Sequence, residues 1–264
     1  MKYSNRVVVR GWRLLYGLLL RQASSRILKG RLLDLEAPKK GRWLRSDVKE
    51  YLAQTWTRVD SLIPRARLDA LPSYGNRHNV FLAVITTAAY QIMLERGVSP
   101  EYARILVGDL GWKIYSWMLT TVSLPFRVTT RDPGKRMDRT LRTLMTFPFN
   151  APGAPGYEVE VRTEGDRTYT HWTHCPPEAF VRQLSKDNGD RGELEAFYQS
   201  WCLYDWPGAD ILANDGRHGH YSRQQTLSRG DTVCDMCWHG CAQEQRQAGQ
   251  EVTQKTPVKE MRPI

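Results

Sequence analysis

The chain has 264 residues, 41% of them apolar and 25% charged, the balance of a folded protein with a sizeable core and not of a disordered or fibrous one. Its net charge is +10, yet residues 1–50 alone hold thirteen Lys/Arg against four Asp/Glu. Nearly all the excess is therefore a local feature, which argues against a basic groove running across the protein and so against a nucleic-acid role.

Residues 1–45 form a basic arm with no acid before Asp34. At helical spacing Arg6, Arg10, Arg13 and Arg21 fall on one face, with Val, Trp and Leu around the rest. Three readings stay open: a helix lying on a lipid surface, a cleaved organelle-targeting segment, or a helix that packs its apolar side on the domain with its arginines in solvent. The runs "LLYGLLL" (14–20) and "VFLAVITTAAY" (80–90) both fall short of the roughly 20 apolar residues that cross a bilayer.

Residues 46–145 read as helical. Ser46-Asp47 can open a helix that runs to Pro64. The stretch 78–96 is apolar all round, which predicts a buried helix, and Gly97 suits its left-handed C-terminal cap. Ser99-Pro100-Glu101 restarts a helix through "LVGDLGWKIYSWMLTTV", with Ser as cap, Pro in the first turn and Glu at the positive end. Trp112 and Trp117 read as core. The segment 146–155, with its prolines and glycine, reads as the boundary loop.

Residues 156–241 change character. "YEVEVR" and "RTYTHWTHC" alternate about the turn "TEGD", the pattern of a β-hairpin. "PPEAFVRQLSKDN" and "GELEAFYQSWCLYDW" have helical spacing, and "HYSRQQTLS" and "VCDMCWH" are strand-like. The fold class expected is α+β: a helical N-terminal half, then a four-stranded antiparallel sheet with two inserted helices in the order β-β-α-α-β-β. Residues 242–264 read as a loose polar tail.

The five cysteines lie between 175 and 241, with no secretory signal ahead of them. This predicts an intracellular, cytoplasmic setting in which thiols stay reduced, with organelle-targeted or membrane-peripheral placement as the alternatives. "CDMCWHGC" suggests a metal clamp, but Cys234 and Cys237 on one strand would point to opposite faces. Cys237, His239 and Cys241 share a parity and form the alternative metal or redox set. At "THCPP", Cys175 ends a strand just before a helix N-terminus, where a positive dipole would lower a thiol pKa and His174 could take its proton. Cys202 and Asp205 are three residues apart on the expected second helix. In this topology Cys175, Cys202 and Cys234-Asp235 could meet beneath the helices.

The ordered set "CPP", "WCLYD" and "RQQTLSRGDTVCDM" resembles the L-2-amino-thiazoline-4-carboxylic acid hydrolase-like family. The matching positions are Cys175-Pro176, Cys202 with Asp205, Arg223, Thr226, Gly230-Asp231 and Cys234-Asp235, and "LERGVSPEYARIL" (94–106) matches an upstream helical region. Met236 stands where an aromatic residue is usual, and Cys237 and Cys241 lie outside the pattern. The resemblance implies a hydrolase of small-molecule and secondary metabolism that opens a cyclic amidine or isothiourea, acting on non-peptide C–N bonds without a cofactor. It implies a catalytic set of Cys175 as nucleophile, His174 as base or acid, and Asp235 or Asp205 as a clamp for the amidinium N–H groups. Arg223 would hold a substrate carboxylate, with Cys202 and Cys234 lining the substrate site. A non-catalytic small-molecule binding or sensing domain is the alternative, beside the metal or redox module.

Overall fold

The computed structural model describes residues 3–33, 35 and 41–243. Five helices precede the sheet: α1 (Tyr3–Ile27), α2 (Arg45–Leu62), α3 (Tyr74–Glu95), α4 (Pro100–Thr129) and α5 (Pro133–Thr146). The hairpin β1 (Glu158–Glu164) and β2 (Arg167–His174) follows, then α6 (Pro176–Asn188), α7 (Glu193–Ser200) and α8 (Asp205–Ala213), and finally β3 (Tyr221–Ser222) and β4 (Cys234–His239). The sheet is antiparallel throughout, in the order β1-β2-β4-β3. The α+β class thus holds. The insertion carries three α-helices where two were expected, because the second breaks at Trp201 into a 3₁₀ turn, Cys202–Tyr204, before α8.

α3 is the central rod. It is buried on most sides, as its apolar sequence predicts, and it opens earlier than expected because the Ser73 side chain caps it by accepting the Asn76 N–H at 3.1 Å. Asn76 donates to the Asn150 carbonyl at 2.9 Å, so the proline-rich loop is pinned to this helix end. Gly97 adopts φ +78°, and the Val98 and Gly97 N–H groups return to Met93 and Leu94, which closes α3 as a left-handed glycine stop should. α2 begins with Asp47 accepting the Leu44 N–H at 2.7 Å. Ser99 stands at the N-cap of α4 without making a side-chain cap bond.

α6 packs on α3 and α7 packs on both α3 and α4, so helices of the two halves share one core. Phe180, Val181, Leu184 and Phe197 from the second half interleave with Val80, Phe81 and Val84 from the first. The N-terminal helix also belongs to that core through Val9, Tyr16 and Leu20. Arg13 pairs with Asp60 and lies 5.1 Å from the Trp56 ring. Most of the polar tail lies outside the described residues.

The helices cover one sheet face. Thr168, Thr170 and Trp172 of β2 and Cys234 and Trp238 of β4 are buried on that face, while Cys237 and His239 of β4 are buried on the other. α4 meets the 3₁₀ turn where Tyr204 donates to the Gly108 carbonyl at 2.5 Å. A Cβ at Gly111 would strike the Tyr204 hydroxyl. Gly111→Ala should therefore lower stability by about 1–3 kcal/mol through overpacking, outweighing the roughly 1 kcal/mol gained in helix propensity. Thermal denaturation checks it, and a raised Tm would show that Tyr204 yields freely.

Candidate active site

Four elements bring chemistry to one place beneath the helices. Cys175 leaves β2 and becomes the N-cap residue of α6. Cys202 opens the 3₁₀ turn, Asp205 opens α8, and Cys234 opens β4 with its side chain turned inward among Tyr157 and Trp172. The three sulfurs sense one another, since ionising Cys175 is opposed by burial first and also by Cys234 and Cys202. Cys175 and Cys202 are half-buried, and burial is the main influence on the ionisation of both.

Two of the sulfurs are joined by hydroxyls. Cys202 Sγ lies 3.3 Å from Ser228 Oγ, Ser228 Oγ lies 3.2 Å from Thr226 Oγ1, and Thr226 Oγ1 lies 3.3 Å from Cys234 Sγ. The Leu227 N–H also donates to Cys234 Sγ at 3.2 Å. The loop that carries these groups is shaped by carboxylates: Asp231 accepts the Thr226 N–H at 2.7 Å.

Asp205 and Arg223 form the charged part. Arg223 Nη1 donates to Asp205 Oδ2 at 3.1 Å and Nη2 to the Cys202 carbonyl at 3.3 Å. Its guanidinium lies 4.7 Å from the Trp206 ring. The Tyr221 hydroxyl donates to the same Asp205 oxygen at 3.3 Å. Burial raises the Asp205 pKa to about 6, although Arg223 and Tyr221 oppose the rise. Burial also pushes Cys202 up to about 12 and raises Cys234. The pocket at rest therefore holds neutral thiols beside an ion pair.

Several expectations are corrected here. The Cys175 pKa is raised, not lowered: burial outweighs the helix end, and with Pro176 and Pro177 contributing no N–H, only the Glu178 backbone reaches the sulfur. His174 does not serve it as a base. Its Nδ1 is held by the Gly156 carbonyl at 2.5 Å, and it lines a separate cleft of about 180 Å³ with Arg67, Pro176 and Phe180. Asp235 alternates to the other sheet face, opposite His171, where Oδ1 accepts the N–H groups of Gln224 at 2.9 Å and Gln225 at 2.6 Å. It shapes the loop and does not clamp a ligand among the thiols. Arg223 is committed to Asp205 and Cys202 and does not present an open fork to a carboxylate.

The alternative metal set is not assembled. Among the described residues no group of three or more His, Cys, Asp or Glu is placed to hold a metal ion. Cys237 Sγ lies 3.9 Å from His239 Nδ1, His239 Nε2 meets Ser222 Oγ at 2.9 Å, and Cys241 is exposed beyond the strand.

Tyr115, Tyr157, Trp206 and Ser228 were not anticipated. Tyr157 receives a hydrogen bond from Asn79 at 2.9 Å, and its ionisation is opposed by burial and then by Cys175. Tyr115 stacks on Tyr204 at 5.6 Å, and Asp205 adds to the burial that keeps it protonated. Each comes from a different element, and although Ser228 lies within "RQQTLSRGDTVCDM" and Trp206 directly follows "WCLYD", the assembled fold is what brings the four to the thiols. Comparison with protein-family models, curated proteins and solved structures finds no match for this chain.

Proposed function

We propose that the cluster of three thiols beside the Asp205–Arg223 pair is the catalytic centre of a hydrolase that opens a small cyclic amidine or isothiourea, of the kind represented by 2-aminothiazoline-4-carboxylate. The observation that carries this is the convergence of Cys175, Cys202, Cys234 and the Asp205–Arg223 pair from five places along the chain. The ordered cysteine and aspartate motifs that resemble the aminothiazoline-carboxylate hydrolases supply the reaction class.

On this reading Cys175 is the nucleophile. Both hydrogen bonds to Asp205 fall on Oδ2, which leaves Oδ1 to accept an amidinium N–H. Cys175 Sγ adds to the carbon flanked by nitrogen and sulfur while the thiol proton passes to the amidine nitrogen, so no resting thiolate is required. The ring C–N bond breaks as its nitrogen leaves carrying that proton, and water then displaces Cys175, returning a proton to its sulfur. The net change is addition of water across the ring bond, with the thiol restored. Enclosure strengthens the Asp205 contact and excludes side reactions. Five unpaired cysteines suit work in a reducing, intracellular compartment, and the partner is a small molecule, not a nucleic acid.

The clamp titrates near pH 6. Asp205 must be ionised to bind an amidinium, so kcat/KM should fall below about pH 6 as its proton returns. Asp205→Asn should lower the plateau and abolish that limb. A pH–rate profile measured with 2-aminothiazoline-4-carboxylate decides it, and an unchanged acid limb in Asp205→Asn would remove Asp205 from the binding role.

The neutral state of all three thiols favours a second reading, a binding pocket that holds the same ligand without turnover. Mass spectrometry after exposure to a substrate analogue separates the two: a Cys175 adduct supports the enzyme, and tight binding without adduct or product supports the binding domain.

A further inference from the structure

We propose that the outward face of α1, together with the uncovered end of α4 beside it, is a docking surface for an anionic membrane. It would hold the protein flat on the lipid surface. This is independent of the thiol pocket and of any reaction there.

α1 is fixed, not loose. Tyr16, Leu20 and Ala23 are buried on its inner side, so its opposite side faces outward permanently. That side carries Val7, Gly11, Leu14, Leu15 and Leu18 at helical spacing, and Leu14 and Leu18 are 73% and 67% exposed. Five large or small apolar positions in one stripe exceed the scattered single exposures of an ordinary surface.

α4 supplies a second stripe. Positions 103, 106 and 110 are buried, and the same three-four spacing continues through Ile114 to Trp117, Thr121, Leu124 and Val128, all four of which are exposed. Trp117, expected in the core, is 56% exposed. The helix runs on past Pro125 to Thr129, held on its other side by α5 and α8 through Leu119 and through Arg127, which donates to the Ile211 carbonyl at 2.7 Å, so this stripe faces away from them. The two helices meet where the Tyr16 hydroxyl donates to Met118 Sδ at 4.0 Å, so Leu15 and Trp117 each lie next in sequence to that contact.

Charge selects the occupant. Exposed Arg10 and Arg21 flank the α1 stripe, and exposed Arg26 and Lys29 stand at its C-terminal end. Lys113 precedes Trp117 by one turn, α1 contains no Asp or Glu, and none occurs from Leu110 through Arg131. An apolar stripe rimmed by cations matches an anionic lipid surface, and tryptophan is suited to the headgroup level. A second copy would set these cations against their own images across a two-fold axis, which opposes self-association. Among the described residues no helix is long and apolar enough to cross a membrane, so the stripe lies on the bilayer and does not span it.

The test is sedimentation of the full chain with vesicles of phosphatidylcholine alone and of equal parts phosphatidylcholine and phosphatidylglycerol. Binding is expected to the anionic vesicles and to weaken with salt. The double change Leu14→Asp with Leu18→Asp should reduce it by about tenfold or more. Arg10→Gln with Arg21→Gln should reduce it by about an order of magnitude on anionic vesicles only. All four positions are exposed, and circular dichroism melts verify that the variants stay folded. Absence of binding to anionic vesicles, or binding unchanged in the Leu14→Asp/Leu18→Asp protein, overturns the proposal. So does a dimer that this double change dissolves without any vesicle binding, which would assign the face to a second copy.

Discussion

Cys175→Ser should lose turnover of 2-aminothiazoline-4-carboxylate by about 10³-fold or more, with ligand binding and Tm close to those of the parent chain. A hydroxyl is nearly the size of a thiol but a far weaker nucleophile, and the carboxylate that acts on this position, Glu178, is paired with Arg182 and not free to activate it. The nearest histidine, His174, is turned to the Gly156 carbonyl, so nothing would rescue the serine. Cys202→Ser and Cys234→Ser provide the contrast. Both thiols already sit in a hydroxyl chain with Ser228 and Thr226, where a third or fourth hydroxyl can replace sulfur, so their effects should be smaller. Steady-state kinetics on the three single variants, beside thermal melts, decides the assignment. Equal losses in all three would indicate a pocket that depends on its shape. A fully active Cys175→Ser protein would remove Cys175 as nucleophile and leave the direct attack of water on the bound ring.

What could be read from the residues was the α+β class, with a helical first half and helices inserted between two pairs of strands; the number of inserted helices was not. Alternation about "TEGD" identified the hairpin, and the apolar run of α3 identified a buried rod. The extent of β3 could not be read, since "HYSRQQTLS" is strand-like yet pairs only at Tyr221–Ser222. Asp235 and Asp231 take the amides of Gln224, Gln225 and Thr226 and replace a strand neighbour with carboxylates. The break at Trp201 carries a weak signal only, Pro207 in the first turn of α8, which marks where the helix restarts and not where it stops. The Cys202 carbonyl there accepts from Arg223, a residue 21 positions away. Thiol electrostatics failed in sign because a local rule, the helix end, was set against desolvation, which exists only once the pocket closes. Trp117 failed for the opposite reason: its helix continues its apolar stripe past the packing that would have covered it.

Arg223→Met should destabilise the fold by about 3–5 kcal/mol near neutral pH, because it strips the partner from a buried carboxylate. The Arg223 side chain is 2% exposed and that of Asp205 15%, so water cannot replace the guanidinium. The size of the loss should depend on pH, in a definite direction. Burial already lifts Asp205 from an ordinary 3.8 to about 6 with Arg223 present. The folded state thus holds a proton that the unfolded chain has released, and stability from this group is lost as pH rises from about 4 to about 6, then levels. Without Arg223 the folded pKa climbs further. The decline should then continue through neutral pH, and the variant should be closest to the parent at pH 5 and furthest from it at pH 8. Asp205→Asn with Arg223→Met removes both charges, so it should recover stability relative to Arg223→Met alone and flatten the pH profile. Denaturant unfolding of the parent, the two single variants and the double variant at three pH values closes the cycle. A loss below about 1 kcal/mol in Arg223→Met, or a loss independent of pH, would mean that the pair behaves as a solvated surface bridge. The pocket would then be open to water, and Asp205 could not clamp an amidinium with the strength that a closed site provides.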